Sequence, residues 1–405
     1  MRALIVPLAG VCLAFGLQAS EWSSHQEAAH AAMLRQDYNA ASTLYGESVS
    51  LSATPAERAA SLASYGVALS RANRNVEARA ALEQAMTAGP VDKSVVSVSL
   101  ASVERNLGDY QSAERVLRAA AQDASATPGG KATVFVNLAD LLREENRESE
   151  ASETLNEAMQ LSDVPRAQRI SVLVEKAELA REMHQWQNSI TDWNKVGEIV
   201  ASDHSKRLEE VYTGGLGDTW FVAGDLTRAE PLLRRSLELM RGDPESSPSQ
   251  LAVALTLMAR LYLSQNKLAL AGEAIDEAIS KDVVAVGWDH PQTAMMLEMR
   301  AGILSRRGEV EPARDDLEHA RSIMTSHFGP ESAAVGAVVA EMGDVEQRAN
   351  RPAVAAADYG FAMRVLRAAG VDSARIGAAL VTPYAAALKA AHRGAEAKAL
   401  LAGGR

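Results

Sequence analysis

The segment His25-Gln26-Glu27-Ala28-Ala29-His30 sets two imidazoles and a carboxylate close together, the residue types of a zinc hydrolase. That chemistry needs the histidines four apart on one helix face, with the glutamate beside the first as general base. Here they are five apart, which turns the second about 140° around a helix from the first. The segment is therefore read as the surface of an opening helix. His319 and His327 are two helical turns apart, too far to share one metal ion. Thr213-Gly214-Gly215-Leu216-Gly217 has the glycine content of a phosphate cradle, but no strand precedes it and no lysine follows. No Gly-x-Ser-x-Gly turn presents a hydrolase serine. The sequence thus predicts no catalytic residue, no metal site and no cofactor.

What must be positioned, then, is a surface. The chain has 405 residues, of which 47% are apolar and 23% charged, enough to bury a core. Alanine is by far the commonest residue and aromatics make up only 4%, so the expected contacts are thin, alanine-lined and helical. A plain globule of this length would split into two or three domains. The formal net charge of −11 gives no electrostatic reason to seek nucleic acid, whose affinity comes largely from counterion release by Lys and Arg.

Residues 1–19 read as a secretory signal peptide. Arg2 is the positive start, Ala3 to Leu17 is uncharged and apolar, and Leu17-Gln18-Ala19 is the cleavage site, so the mature chain is expected to begin at Ser20. The apolar stretch falls short of the roughly 20 residues of a membrane span. An uncleaved N-terminal anchor is the alternative. Lipidation at Cys12 is disfavoured because Val11 stands where a small residue is expected. Cleavage after Ala19 leaves a mature chain with no cysteine, hence no disulfide, thiol chemistry or cysteine-held metal. No later window is apolar enough to span a membrane, so the expected location is the bacterial periplasm or the outside of the cell.

The strongest signal is a period. Ala41, Ala78, Ala113, Ala151, Ser189, Ala229, Ala271, Ala313, Ala355 and Ala399 each follow a short polar break, at steps of 37, 35, 38, 38, 40, 42, 42, 42 and 44 residues. Twelve residues before these marks every residue is Ala or Gly, including Gly66, Gly217 and Gly343. Four after stands a large apolar residue, such as Leu82, Trp193 and Tyr359. Offsets of four and seven share a helix face, where small residues let a neighbouring helix approach and the large one fills the gap. Five residues before the marks, Gly108, Gly224, Gly308 and Gly394 alternate with Asn73, Asn146, Asn266 and Asn350, the residues that tolerate a left-handed backbone at a helix end. Gln36 and His184 are the exceptions. Each unit is helix, tight turn, helix.

Leu62, Tyr65-Gly66, Leu69, Ala78, Leu82, Ala85 and Pro90 in the second unit, and the turns Gly108-Asp109-Tyr110 and Gly224-Asp225-Leu226, resemble the tetratricopeptide repeat. From Ala229 onward the 42-residue step and Gly287-Trp288-Asp289-His290-Pro291 are similar to kinesin-light-chain repeats. The resemblance runs from about Glu21 to Ala402 and implies an all-α fold, a right-handed α-solenoid superhelix of about ten helix–turn–helix repeats. The expected organisation is one continuous array over 20–405, with shorter repeats over 20–241 and 42-residue repeats with a C-terminal cap over 242–405. Ala124–Lys131 and Gly242–Ser249 are the candidate hinges. Three departures stand out. Lys176 and Arg300 occupy first-helix sites that are normally apolar, and Thr382-Pro383 reads as the cap and start of the last first helix.

The resemblance also implies that the first helices line a groove for peptides. Eight residues before the marks stand Arg105, Arg143 and Arg181; three earlier on the same helices come Ser102, Asp140 and Glu178, followed by Asp218 in the next unit. An arginine ladder beside a carboxylate ladder can grip a partner's carboxylates bidentately, or its two rows can neutralise each other as ordinary ion pairs. If it grips a partner, replacing the three arginines by alanine should weaken capture and leave the thermal midpoint nearly unchanged. Trp288, in a loop, either packs locally or meets a partner. The functional expectation is a non-catalytic exported scaffold that binds protein or peptide partners, with no nucleic acid and no membrane span in the mature chain. A permanent subunit or assembly factor of an envelope, secretion or pilus machine is the alternative.

Overall fold

The computed structural model describes residues 21–403, and every regular element among them is helical. The signal peptide, its cleavage site and Cys12 lie outside the described residues. By internal contacts the chain forms two compact units, residues 1–185 and 186–405, dividing between the helices of the fifth repeat. Both candidate hinges fall inside units and serve as helix starts. Thr127 caps the helix Pro128–Glu144, and Ser247 with Gln250 forms a reciprocal capping box on Pro248–Ser264.

The repeat's packing follows from the alternation of small and large residues. The marks from Ala41 to Ala355 are fully buried. A Cβ on Gly66 would come within 2.5 Å of Leu82, one on Gly217 within 2.9 Å of Leu233, and one on Gly343 within 2.8 Å of Tyr359. The small site before each turn is thus the seat of the large residue after it. Gly214, Gly215 and Gly217, which imitate a phosphate cradle in sequence, lie inside the helix Lys206–Val222. There Gly215 makes room for Trp193.

Every turn between the helices of a repeat carries one left-handed residue: Gln36, Asn73, Gly108, Asn146, His184, Gly224, Asn266, Gly308, Asn350 and His392. Glutamine and histidine therefore accept the same backbone as glycine and asparagine. The tenth turn corrects the sequence register. His392, not Gly394, is left-handed (φ 62°), and the fully buried alanine is Ala397 while Ala399 is exposed. The true mark lies two residues earlier, so the last step is 42 like the three before it. Pro383 also differs from expectation. The backbone is helical on both sides of it, and the missing amide is absorbed by a π-helical turn, Gly377–Val381, between Ser373–Ile376 and Thr382–Ala390.

The two sites that break the apolar pattern are resolved by pairing. Arg300 holds Asp316 in a two-pronged bond (2.8 and 2.6 Å) and reaches Asp276 at 3.1 Å. Lys176 donates to Asn156 at 2.6 Å. Repeats are also stitched across their boundaries: Arg79 of repeat 2 meets the buried Glu104 of repeat 3, and Arg314 of repeat 8 meets the buried Glu346 of repeat 9 at 2.7 Å. Both pairs use the same two positions of the repeat.

Candidate functional site

Within each unit, first helices of several successive repeats touch. In the first unit Pro55–Arg71, Lys93–Asn106, Pro128–Glu144 and Arg166–Glu182 form a continuous row. In the second, Lys206–Val222 meets Pro248–Ser264, and Pro291–Arg307 meets Ala333–Arg348. This row of first helices is the face on which side chains from different repeats converge.

The structure brings the charged ladder of the first unit together. Arg105 donates to Asp140 at 3.0 Å and to Glu144 at 2.5 Å on the next first helix. Arg143 lies 2.7 Å from Asp140, 2.8 Å from Glu175 and 3.7 Å from Glu182. Glu178 and Arg181 sit half-buried on Arg166–Glu182, and Glu178 adds to the negative field on Arg143. Burial draws the Arg143 guanidinium down, but the surrounding carboxylates together outweigh it and keep it charged. Asp218 lies in the second unit, half-buried on Lys206–Val222.

Glu175 is the residue that the sequence reading missed. It is buried, and burial pushes its carboxyl up to about 7 against the pull of Arg143, with Glu178, Asp140 and Glu182 adding to the rise. Only its place on a first helix, six residues before Arg181, hinted at it. It corrects one expectation: Arg143→Ala would strip the cation from a buried carboxylate, so the triple arginine replacement cannot leave stability untouched.

The second unit's row has a different chemistry. Val253 and Met295 are 60% and 64% exposed in the middle of their helices. Beside Met295 on the same helix, burial and the Glu341 carboxylate raise Glu298 to about 7. Glu341 still reaches solvent, yet it too is raised, first by lost hydration against its neighbours and then by Asp344, with Arg348 opposing.

The residues suspected of chemistry have ordinary roles. His25 pairs with Glu47 at 3.2 Å, and His327 contacts the Asp289 carbonyl at 2.7 Å. His319 stacks on Trp288 at 5.8 Å, so Trp288 packs locally while remaining half-exposed. Trp22 donates to Ser61 at 2.9 Å and ties repeat 1 to repeat 2. No group of three or more metal-ligating side chains occurs among the described residues, and no described helix is long and apolar enough to cross a membrane.

Buried small residues seated on large ones, a left-handed turn in every hairpin and a row of touching first helices define an α-solenoid repeat protein. Part of the chain resembles the tetratricopeptide-repeat family. The tetratricopeptide-repeat model matches residues 94–163, in the third and fourth repeats. Among solved structures, the apo form of RapI is 13% identical with a TM-score of 0.60, over 85% of this chain and 97% of that one. A signal-transduction ATPase with a tetratricopeptide repeat sensor, from Pyrococcus horikoshii, is 12% identical with a TM-score of 0.58, over 79% of this chain and 52% of that one. BtubC from P. vanneervenii is 20% identical over 60% of this chain and 90% of that one, at a TM-score of 0.44. No curated protein matches the sequence. The fold is that of a scaffold for protein–protein contact, and no catalytic family is indicated.

Proposed function

We propose that this chain is a non-catalytic, exported scaffold that holds protein or peptide partners along the first-helix faces of its repeats. The observation that carries the reading is the exposure of Val253 and Met295 on the face where the repeats converge, positions with no packing role inside the chain. Export rests on the residue pattern of Met1 to Ser20. In the first unit the candidate contacts are Arg105, Asp140, Arg143, Glu178 and Arg181. In the second, Asp218 extends the same register. A partner's carboxylate would have to displace Asp140 or Glu144 from Arg105, so exchange of one ion pair for another is the mode of capture there.

Cross-linking in the native host followed by mass spectrometry tests the reading. The pair Arg105→Ala and Arg181→Ala should reduce the cross-linked partner, while Arg143 stays to keep Glu175 compensated. An unchanged yield would remove the ladder from the binding surface. Fractionation with N-terminal sequencing tests export, which fails if the chain remains in the cytoplasm with Met1 intact. A stable large complex on size exclusion would instead make the chain a permanent subunit of an envelope assembly.

A further inference from the structure

One position of the first helices recurs every 42 residues through the second unit: Val211, Val253, Met295, Ala337 and Ala379. All five are apolar, and all five are exposed. Four of them carry hydrocarbon side chains, which two-electron oxidants leave alone. Met295 carries a thioether, which such oxidants convert to a sulfoxide. The row thus presents one reactive atom to solvent.

Exposure sets Met295 apart from the other methionines. It stands 64% exposed, and no other methionine among the described residues is exposed. Met258, Met296, Met324, Met342 and Met363 belong to the buried core of the second unit, and Met299 packs against it. An oxygen added to any of these would place an unpaired polar group among apolar side chains, which costs free energy. Met296 gives the sharpest contrast: one residue further along Pro291–Arg307, it is 4% exposed. Added to Met295, the same oxygen faces water and leaves the packing as it is. Oxidation there changes the face and spares the fold.

Resting on the reading that first-helix faces hold partners, we infer that Met295 is an oxidation site through which peroxide weakens the hold of this face. The sulfur lone pair attacks one oxygen of hydrogen peroxide. An S–O bond forms as the O–O bond breaks, and the departing hydroxide takes the proton from the transferred oxygen. The sulfide is oxidised to a sulfoxide and the peroxide is reduced to water. A flexible apolar contact becomes a polar one, so a partner side chain seated on Met295 loses its burial against a thioether. A thiol-dependent reductase reverses the step: the oxygen leaves as water, two thiols join as a disulfide, and the sulfide returns.

The test treats the full chain with dilute hydrogen peroxide and follows each methionine by peptide mass mapping. Met295 should gain oxygen at least tenfold faster than Met296, at times when helical circular dichroism and the thermal midpoint are unchanged. Equal rates at the two positions, or a midpoint that falls as Met295 reacts, would overturn the assignment. Capture by a photo-cross-linker at position 253 in host extract reads the consequence. Peroxide should lower it severalfold, and methionine sulfoxide reductase should restore it. Met295→Leu, apolar and inert, should keep its capture after peroxide, while Met295→Gln should capture severalfold less without any. An equal loss of capture in Met295→Leu and the unsubstituted chain would trace the effect to another methionine and overturn the inference, as would full capture by Met295→Gln. An untreated chain that captures nothing would remove the broader reading and the regulation with it, whereas selectivity in the mapping would still mark Met295 as the oxidation site.

Discussion

Glu175 makes stability depend on pH in a direction that can be worked out. Burial raises its carboxyl to about 7, above the ordinary value of 4.5. A carboxyl raised in the folded state contributes stability that is fully present below its unfolded value and is lost as pH rises through the folded one. The window is therefore about pH 4.5 to 7. At about 1.4 kcal/mol per unit, the difference amounts to about 3 kcal/mol at most for this one group. The raised value already includes the pull of Arg143 at 2.8 Å, so a loss of about 2–3 kcal/mol between pH 5 and pH 8 is the working expectation. Glu298, also raised to about 7, and Asp358, raised to about 6, push the same way. Urea melts of the full chain at pH 5 and pH 8, followed by helical circular dichroism, read the effect. The first unit's transition should move to lower urea at pH 8, and Glu175→Gln should flatten that dependence. Equal midpoints at both pH values, or an undiminished slope in Glu175→Gln, would refute the burial argument.

Other expectations follow from the packing. Gly66→Ala should destabilise by about 1–3 kcal/mol, since its Cβ meets Leu82 at 2.5 Å, whereas Gly302→Ala should stabilise by about 1 kcal/mol in open space on a helix. His392→Gly should add about 1 kcal/mol by relieving a left-handed histidine. Gly394→Ala should cost nothing; a substantial loss there would restore Gly394 as the turn residue. Arg79→Ala leaves Glu104 buried without its cation and should cost about 1–3 kcal/mol in a thermal melt, while a midpoint equal to wild type would demote that inter-repeat pair.

The hairpin register was readable because two constraints recur with it: a residue that tolerates positive φ at the turn, and a small residue seated against a large one. Where glycine or asparagine is the only cue, the reading slips. Gly394 mimics the turn beside His392, and nothing local in the sequence distinguishes them; only the burial of Ala397 does. Pro383 reads as a helix start because a π turn that absorbs its missing amide has no sequence signature. The charged ladder was legible as spacing, but which arginine is buried was not. That depends on Glu175, whose ion-pair partner Arg143 comes from a different helix. The apolar row at Val253 and Met295 stood in plain 42-residue register, yet exposure cannot be read from residue type alone. The place where the contacts divide, between Gln185 and Trp186, lies inside a repeat and leaves no mark in composition.

The central claim is that partners are held on the first-helix face. A photo-reactive residue placed in turn at Val253 and Met295 on that face, and at Leu270 and Val284 on second helices, tests it in the native host. All four positions are exposed and apolar, so they differ in face rather than in chemistry. Adducts should form from positions 253 and 295 and be weak or absent from 270 and 284. Adducts confined to 270 and 284 would place the binding surface on the second helices and contradict the account.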